Sequence, residues 1–204
     1  MSIPTTIQQF FHKDIVLEDD RVLLRPLEES DIIHLAPYAL HEPDIWQYSL
    51  VRPADEESMK AYVHNAVAAR KEGREYAFIV FDKPSGSYVG STRFYDIQPL
   101  HKSLQLGYTW YAKAQQGTGL NKHCKYLLLS FAFEQLGIER VELRADTRNA
   151  RSIAAMQRIG CTIEGTLRSH CLTADGSRRD SIVLSILKEE WLKDKKEQLQ
   201  QQLR

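Results

Sequence analysis

Residues 103–121 read Ser-Leu-Gln-Leu-Gly-Tyr-Thr-Trp-Tyr-Ala-Lys-Ala-Gln-Gln-Gly-Thr-Gly-Leu-Asn. Leu104, Leu106, Tyr108 and Trp110 alternate, and aromatic residues suit a pleated surface, so the first half predicts a strand. The pattern breaks at Gln115-Gln116-Gly117-Thr118-Gly119. From Leu120 on, apolar residues recur at Leu120, Cys124, Leu127, Leu128 and Phe131, the spacing of one helical face. A strand therefore runs through a glycine turn into a helix. The first turn of a helix leaves backbone N–H groups unpaired and carries partial positive charge. Glycines let such a backbone approach a ligand closely. The combination suits a phosphate cradle made of main chain. It is not a Walker loop, since no Lys-Ser/Thr follows the second glycine. Nor is it a full Gly-x-Gly-x-x-Gly. Taken alone, Gly-x-Gly is equally an ordinary capped loop.

The wider sequence sets bounds. At 204 residues the chain can bury one sizeable core. Lys+Arg and Asp+Glu are both 27, so the net charge is zero and no nucleic acid or anionic membrane is called for as a partner. No apolar run is long enough to span a bilayer. Met1 to Lys13 lacks the basic start and apolar run of a signal peptide. Cys124, Cys161 and Cys171 are odd in number and lack metal-ligand spacing, so free thiols in the cytoplasm, with no metal, are expected.

Residues 1–20 read as a polar lead-in, 21–191 as a single domain and 192–204 as a charged, Gln-rich helical tail, loosely packed. Arg21 to Leu27 is a strand stopped by Pro26, and Ser30 a helix N-cap. Pro37 and Pro43 break the following stretch into irregular structure. Asp55 caps a helix that ends at Gly73. Strands at 76–81, 88–97 and 103–111 follow without an intervening helix, so they are antiparallel neighbours. The helix from Leu120 ends near Gln135 with Gly137 as its cap. A strand at 141–145 precedes a helix capped by Asn149 and closed by Gly160. Strands near 161–172 and 179–187 flank an Asp175-Gly176 turn. One mixed α/β domain of the α+β class accounts for this order.

That order of elements resembles the GCN5-related N-acetyltransferases. Gln116-Gly117-Thr118-Gly119 is similar to the end of the family's (Gln/Arg)-x-x-Gly-x-(Gly/Ala) coenzyme A motif. Arg144 to Cys161, with Asn149-Ala-Arg-Ser152, resembles the segment in which an Asn-x-x-Ser helix follows the fifth strand. Glu164-Gly165-Thr166-Leu167-Arg168 and Arg179 to Ser185 resemble the closing hairpin of the RimJ/RimL-like branch, which acetylates ribosomal-protein N-termini. The resemblance covers about residues 20–191.

It implies a twisted, mostly antiparallel sheet splayed between its fourth and fifth strands, with helices on both faces. It implies acetyl-CoA as co-substrate. Pantetheine would add to the inner edge of 108–111 through Thr109, Trp110 and Tyr111. The diphosphate would sit on Gln116, Gly117, Thr118, Gly119, Leu120 and Asn121. Asn149 would hydrogen-bond the pantetheine or its thioester end, and is also a plain helix cap. Ser152 fits the branch's thiolate partner, and is equally a first-turn serine. A backbone N–H near Trp110 would meet the oxyanion. Lys122 and Lys125 read as a solvated helix face, with added charge near the adenosine phosphate as the alternative.

The sequence departs from the family in several places. Ala114 stands where Gln or Arg is usual. Met156 stands where many relatives have an acidic Tyr. Gln105 replaces a Glu, and a carboxylate of some relatives is replaced near His170-Cys171. No base is therefore fixed. Arg93, Tyr95, Asp96 and His170 are the substrate-side candidates. Two readings follow: an N-acetyltransferase acting on a protein N-terminus or a small amine, and a non-catalytic acyl-CoA-binding domain. A homodimer is left open.

Overall fold

A computed structural model of the chain describes residues 9, 10 and 12–203. Residues 1–8 and 11 of the lead-in lie outside the described residues. Eight strands form one sheet: β1 (Leu17–Glu18), β2 (Val22–Pro26), β3 (Tyr76–Asp82), β4 (Ser87–Gln98), β5 (Ser103–Tyr111), β6 (Arg140–Asp146), β7 (Thr162–Leu172) and β8 (Arg178–Leu187). Their order across the sheet is β1-β2-β3-β4-β5-β6-β8-β7, and β5–β6 is the parallel pair. The helices are α1 (Ile32–His41), α2 (Glu56–Lys71), α3 (Leu120–Ser130) and α4 (Ala150–Arg158). A C-terminal helix, α5, starts at Lys188–Glu190, passes a π-turn at Trp191–Lys195 and ends as Lys196–Gln200.

The sheet divides two cores. In β3, Tyr76, Phe78 and Val80 face one core, which holds Leu120, Cys124 and Leu128 of α3 and Met156 of α4. Ala77 and Ile79 face the other, with Leu35 of α1 and Met59, Val63 and Ala66 of α2. Burial on both faces explains why β3 reads as an unbroken apolar run. Helices therefore cover both faces, as expected of this α+β fold.

Most expected punctuation is present. Asp55 caps α2 by accepting from the N–H of Ser58 at 2.7 Å. Gly73, Gly137, Gly160 and Gly176 all take positive φ. Three readings need correction. The cap before α1 is a reciprocal pair: Asp31, rather than Ser30, accepts from the N–H of Glu28 at 2.8 Å. Pro37 lies inside α1 instead of breaking it. It removes the donor for the carbonyl of Ile33, and burial of Leu35, Ala36 and Ala39 outweighs that loss. Finally, Phe10 of the lead-in and the C-terminal helix α5 both pack into the domain. Phe10 stacks on Tyr76 at 4.4 Å, and Trp191 and Leu199 are fully buried, so the tail is not loose.

Candidate active site

Strand β5 is bonded to β4 along its length but to β6 only at the start. Ser103, Leu104 and Gln105 pair with Arg140, Val141 and Glu142, and there the parallel pairing stops. β6 turns its other edge to β8 from Arg140 to Asp146. The inner edges of residues 106–111 and 143–146 thus face each other unpaired. The N–H of Ala112 donates to Val89 O at 2.8 Å. Main-chain groups alternate sides along a strand. So Trp110 presents its N–H to β4, while Thr109 and Tyr111 turn theirs into the gap. The N–H of Trp110 itself is therefore turned away from the gap, and those of its two neighbours face it. Tyr108, with φ 49°, forms the bulge that sets this register.

The glycine loop closes one end of the gap. Gly117 (φ 85°) and Gly119 (φ 92°) are left-handed, and a Cβ added to either would meet nothing within 4 Å. Their N–H groups make no hydrogen bond among the described residues. Those of Leu120 and Asn121 open α3, where a helix supplies no partner. Leu120 itself is core, so only its main chain faces the loop. Asn121 accepts from the Tyr111 hydroxyl at 3.2 Å. Thr118 accepts from Arg21 at 3.3 Å. Gln116 donates to Tyr111 O at 2.9 Å and accepts from Arg151 of α4 at 2.5 Å. Opposite, Asn149 Oδ1 takes the N–H of Ser152 at 3.0 Å, which leaves both Nδ2 hydrogens without a partner among the described residues. The Ser152 hydroxyl is likewise uncommitted. Asn149 is thus a cap and an available donor at once.

An open strand edge, a bare-amide loop and two polar side chains at the facing helix start fit a diphosphate ester with an amide-bearing arm. Residues 21–162 match the family profile described as "Acetyltransferase (GNAT) domain". The chain belongs to the GNAT acetyltransferase family. Among curated relatives, the "Putative ribosomal N-acetyltransferase YdaF" of Bacillus subtilis is 33% identical over 106 residues, 52% of this chain and 57% of that protein. The spermidine N(1)-acetyltransferase of Escherichia coli is 25% identical over 178 residues, 86% of this chain and 90% of that one. A solved "putative acetyltransferase" from T. thermophilus superposes with a TM-score of 0.84 at 31% identity, over 93% of this chain and 97% of that one. The expected N-acetyltransferase family and the splayed sheet are both borne out.

On the face of this GNAT sheet that carries α1 and α2, the substrate-side candidates are all engaged. Arg93 is buried, donates to Glu75 at 2.7 Å and lies over the rings of Tyr62 and Tyr108. Tyr95 packs edge-on against Tyr108, and its ring fills the space a Cβ at Gly107 would need. Burial raises the pKa of its hydroxyl far above the usual range. Asp96, at φ 45°, accepts from Gln98 and Gln105, both at 2.7 Å. His170 lies in the β7 bulge. Arg144 can only donate, so its 3.1 Å contact fixes His170 Nε2 as acceptor, and Nδ1–H donates to Ser181 at 3.0 Å. Partial burial first, then Arg144, Arg179 and Arg178, lower its pKa. His170 is a neutral imidazole whose lone pair is already used.

Sequence reasoning misses the burial of Lys125, which it places on a solvated helix face. Lys125 is buried and donates to Thr109 Oγ1 at 2.9 Å. Its neighbours at i+3 and i+4, Leu128 and Leu129, are the sequence signal that places it on the inner face. Arg151 is missed too; only its place beside Asn149 hints at it.

Proposed function

We propose that this chain is an acetyl-CoA-dependent N-acetyltransferase that acylates a primary amine directly within a ternary complex. The observation that carries the reading is the unpaired inner edge of residues 106–111 leading into the bare amides of the glycine loop. Acetyl-CoA, when bound, supplies the activated acyl group. Gly117, Gly119, Leu120 and Asn121 offer N–H groups to the diphosphate, and Asn149 Nδ2 donates to the arm. Thr109 and Tyr111 offer N–H groups at the parted edge, one of which meets the carbonyl oxygen as charge develops. The amine approaches from the face carrying Tyr95, Tyr108 and Arg144.

No carboxylate or imidazole described on that face is free to act as a base. Glu142 is held by Arg140 and Arg144, Glu75 by Arg93, and His170 by Arg144. The amine therefore loses its proton to water, and the acid side of the rate profile follows the amine's own pKa. Arg144, Arg178 and Arg179 surround His170, and Arg179 is buried against Ser181 and the carbonyl of Tyr48 without an ion pair among the described residues. This cationic lining disfavours a polyamine. It favours a peptide N-terminus, which agrees with the RimJ/RimL-like hairpin. Cytoplasmic residence belongs to the same reading, supported by three free cysteines. So does a homodimer, for which edge strand β7 exposes Ile163, Leu167 and Leu172.

The test is thiol release from acetyl-CoA with a panel of peptide amines, amino acids and spermidine, together with CoA binding by calorimetry. Turnover on a peptide amine supports the reading. Tight CoA binding with no turnover on any amine replaces it with the acyl-CoA-binding reading, which Gln105 and Met156 favour. No CoA binding removes both.

A further inference from the structure

Lys125 is a buried cation that no carboxylate among the described residues neutralises. The residue is 4% exposed. Its ammonium has three donors, and one is used, on Thr109 Oγ1 at 2.9 Å. Thr109 Oγ1 is shared with Thr92 at 2.7 Å, a neutral partner. An unpaired charge in an apolar interior is costly, and such groups persist where something else compensates them.

Its place suggests what that is. Thr109 is on the stretch of β5 whose inner edge has no strand partner. Lys125 reaches it from α3, on the core side where α4 also packs. Cys161, which follows α4, is near enough to act on Lys125 electrostatically. Met156, on the α4 face turned to the same core, has no proton to give. The ammonium is thus a buried acidic group beside Thr109, on the stretch of β5 that has left β6.

We infer that Lys125 is the catalytic acid that meets the departing sulfur. This rests on the acyl-transfer reading above. As the amine nitrogen bonds to the acyl carbon and the C–S bond breaks, Lys125 Nζ gives its proton to the sulfur. The acceptor's surplus proton goes to water, and Lys125 is reprotonated from water. The charge on Lys125 is balanced only while sulfur is negative, so its electrostatic contribution is made at the transition state rather than before it. The groups facing it are Thr109 on β5, Thr92 on β4, Cys124 beside it and Cys161 beyond α4. Burial lowers the Lys125 pKa to about 8, and burial raises both thiols to about 12. An acid of that strength is matched to a thiol.

The experiment compares the wild type with Lys125→Met, which keeps the volume, and Lys125→Arg, which keeps the charge. Two readouts are used. The first is turnover against pH with a peptide amine. Lys125→Met should lose about 100-fold in kcat with little change in KM for acetyl-CoA, and lose the wild type's decline above about pH 8. Lys125→Arg should move that decline to higher pH. The second needs no turnover: ultraviolet titration of the thiol of CoA bound to each protein. In the wild type that thiol should ionise below the range of free CoA, and in Lys125→Met at or above it. Unchanged kcat and pH profile, or identical thiol titrations, overturn the role of Lys125 alone. Failure of the wild type to bind CoA overturns the acyl-transfer reading, and this inference with it.

Discussion

Arg151 Nη1 and Gln116 Oε1 are 2.5 Å apart, and this contact joins the first turn of α4 to the glycine loop across the parted strands. Gln116 is in turn bonded to Tyr111 O at 2.9 Å. A guanidinium is therefore held at the loop whose amides are proposed to take the diphosphate. Arg151→Ala should weaken CoA binding by about tenfold, the scale of one charge-assisted hydrogen bond. The loss should shrink at high salt. Calorimetry at two ionic strengths checks both; equal affinity at low salt would place Arg151 outside the site.

Gly117 and Gly119 should tolerate a methyl group in space but not in conformation. A Cβ would touch nothing, yet both φ values are left-handed. Each Gly→Ala change should cost about 1 kcal/mol of stability and reduce CoA affinity, because relaxing φ re-aims the neighbouring N–H groups. Thermal unfolding with and without CoA separates the two effects. A double variant with unchanged CoA affinity would contradict the main-chain cradle.

Lys125→Met should stabilise the protein near neutral pH. Burial depresses the folded-state pKa to about 8, below the unfolded 10.5. Between these values the unfolded chain holds more protons, so wild-type stability rises with pH there. Below about pH 8 the full cost of the buried ammonium is present, up to about 3 kcal/mol. Chemical denaturation from pH 7 to 10.5 should show a rising curve for the wild type and a flatter, higher one for the variant. A variant less stable at pH 7 would mean that Lys125 is a structural prop. A site residue that destabilises its own fold is the usual trade between stability and activity.

Glu164 should govern part of the acid response. Its hydrogen bonds to Arg140, then to Ser185, hold its pKa down to about 2, from a model-peptide value of 4.5. A depressed carboxylate contributes stability above its unfolded pKa and loses it as pH falls from about 4.5 toward 2. Its side chain is 37% exposed, so solvent screening limits the contribution to about 1 kcal/mol or less. Glu164→Gln should lower stability slightly at pH 7 and flatten the curve in that acid window. Urea titrations at pH 7, 4.5 and 3 follow it.

What is legible in the sequence is mostly local. The glycine loop, the Asp55 and Asn149 caps and the strand order all depend on backbone preferences carried within a few residues. Pro37 and Ser30 mislead because a tertiary face and a rival carboxylate, Asp31, override local habit. Lys125 misleads because residue type suggests water while its helical neighbours Leu128 and Leu129 point inward. The engagement of Asp96 by Gln105, and of His170 by Arg144, joins separate strands, and no spacing rule reports that.

Among the described residues, the pairs Ser103–Arg140, Leu104–Val141 and Gln105–Glu142, with the N–H of Glu139 donating to Lys102 O at 2.7 Å just before them, hold the main-chain seam between two leaves of the sheet. Beyond them each leaf is backed on its outer side, by β4 in one case and β8 in the other. A guest entering the notch breaks no ladder on its way in. Under the proposed function it finishes one, taking the position that a ninth strand would hold beside β5.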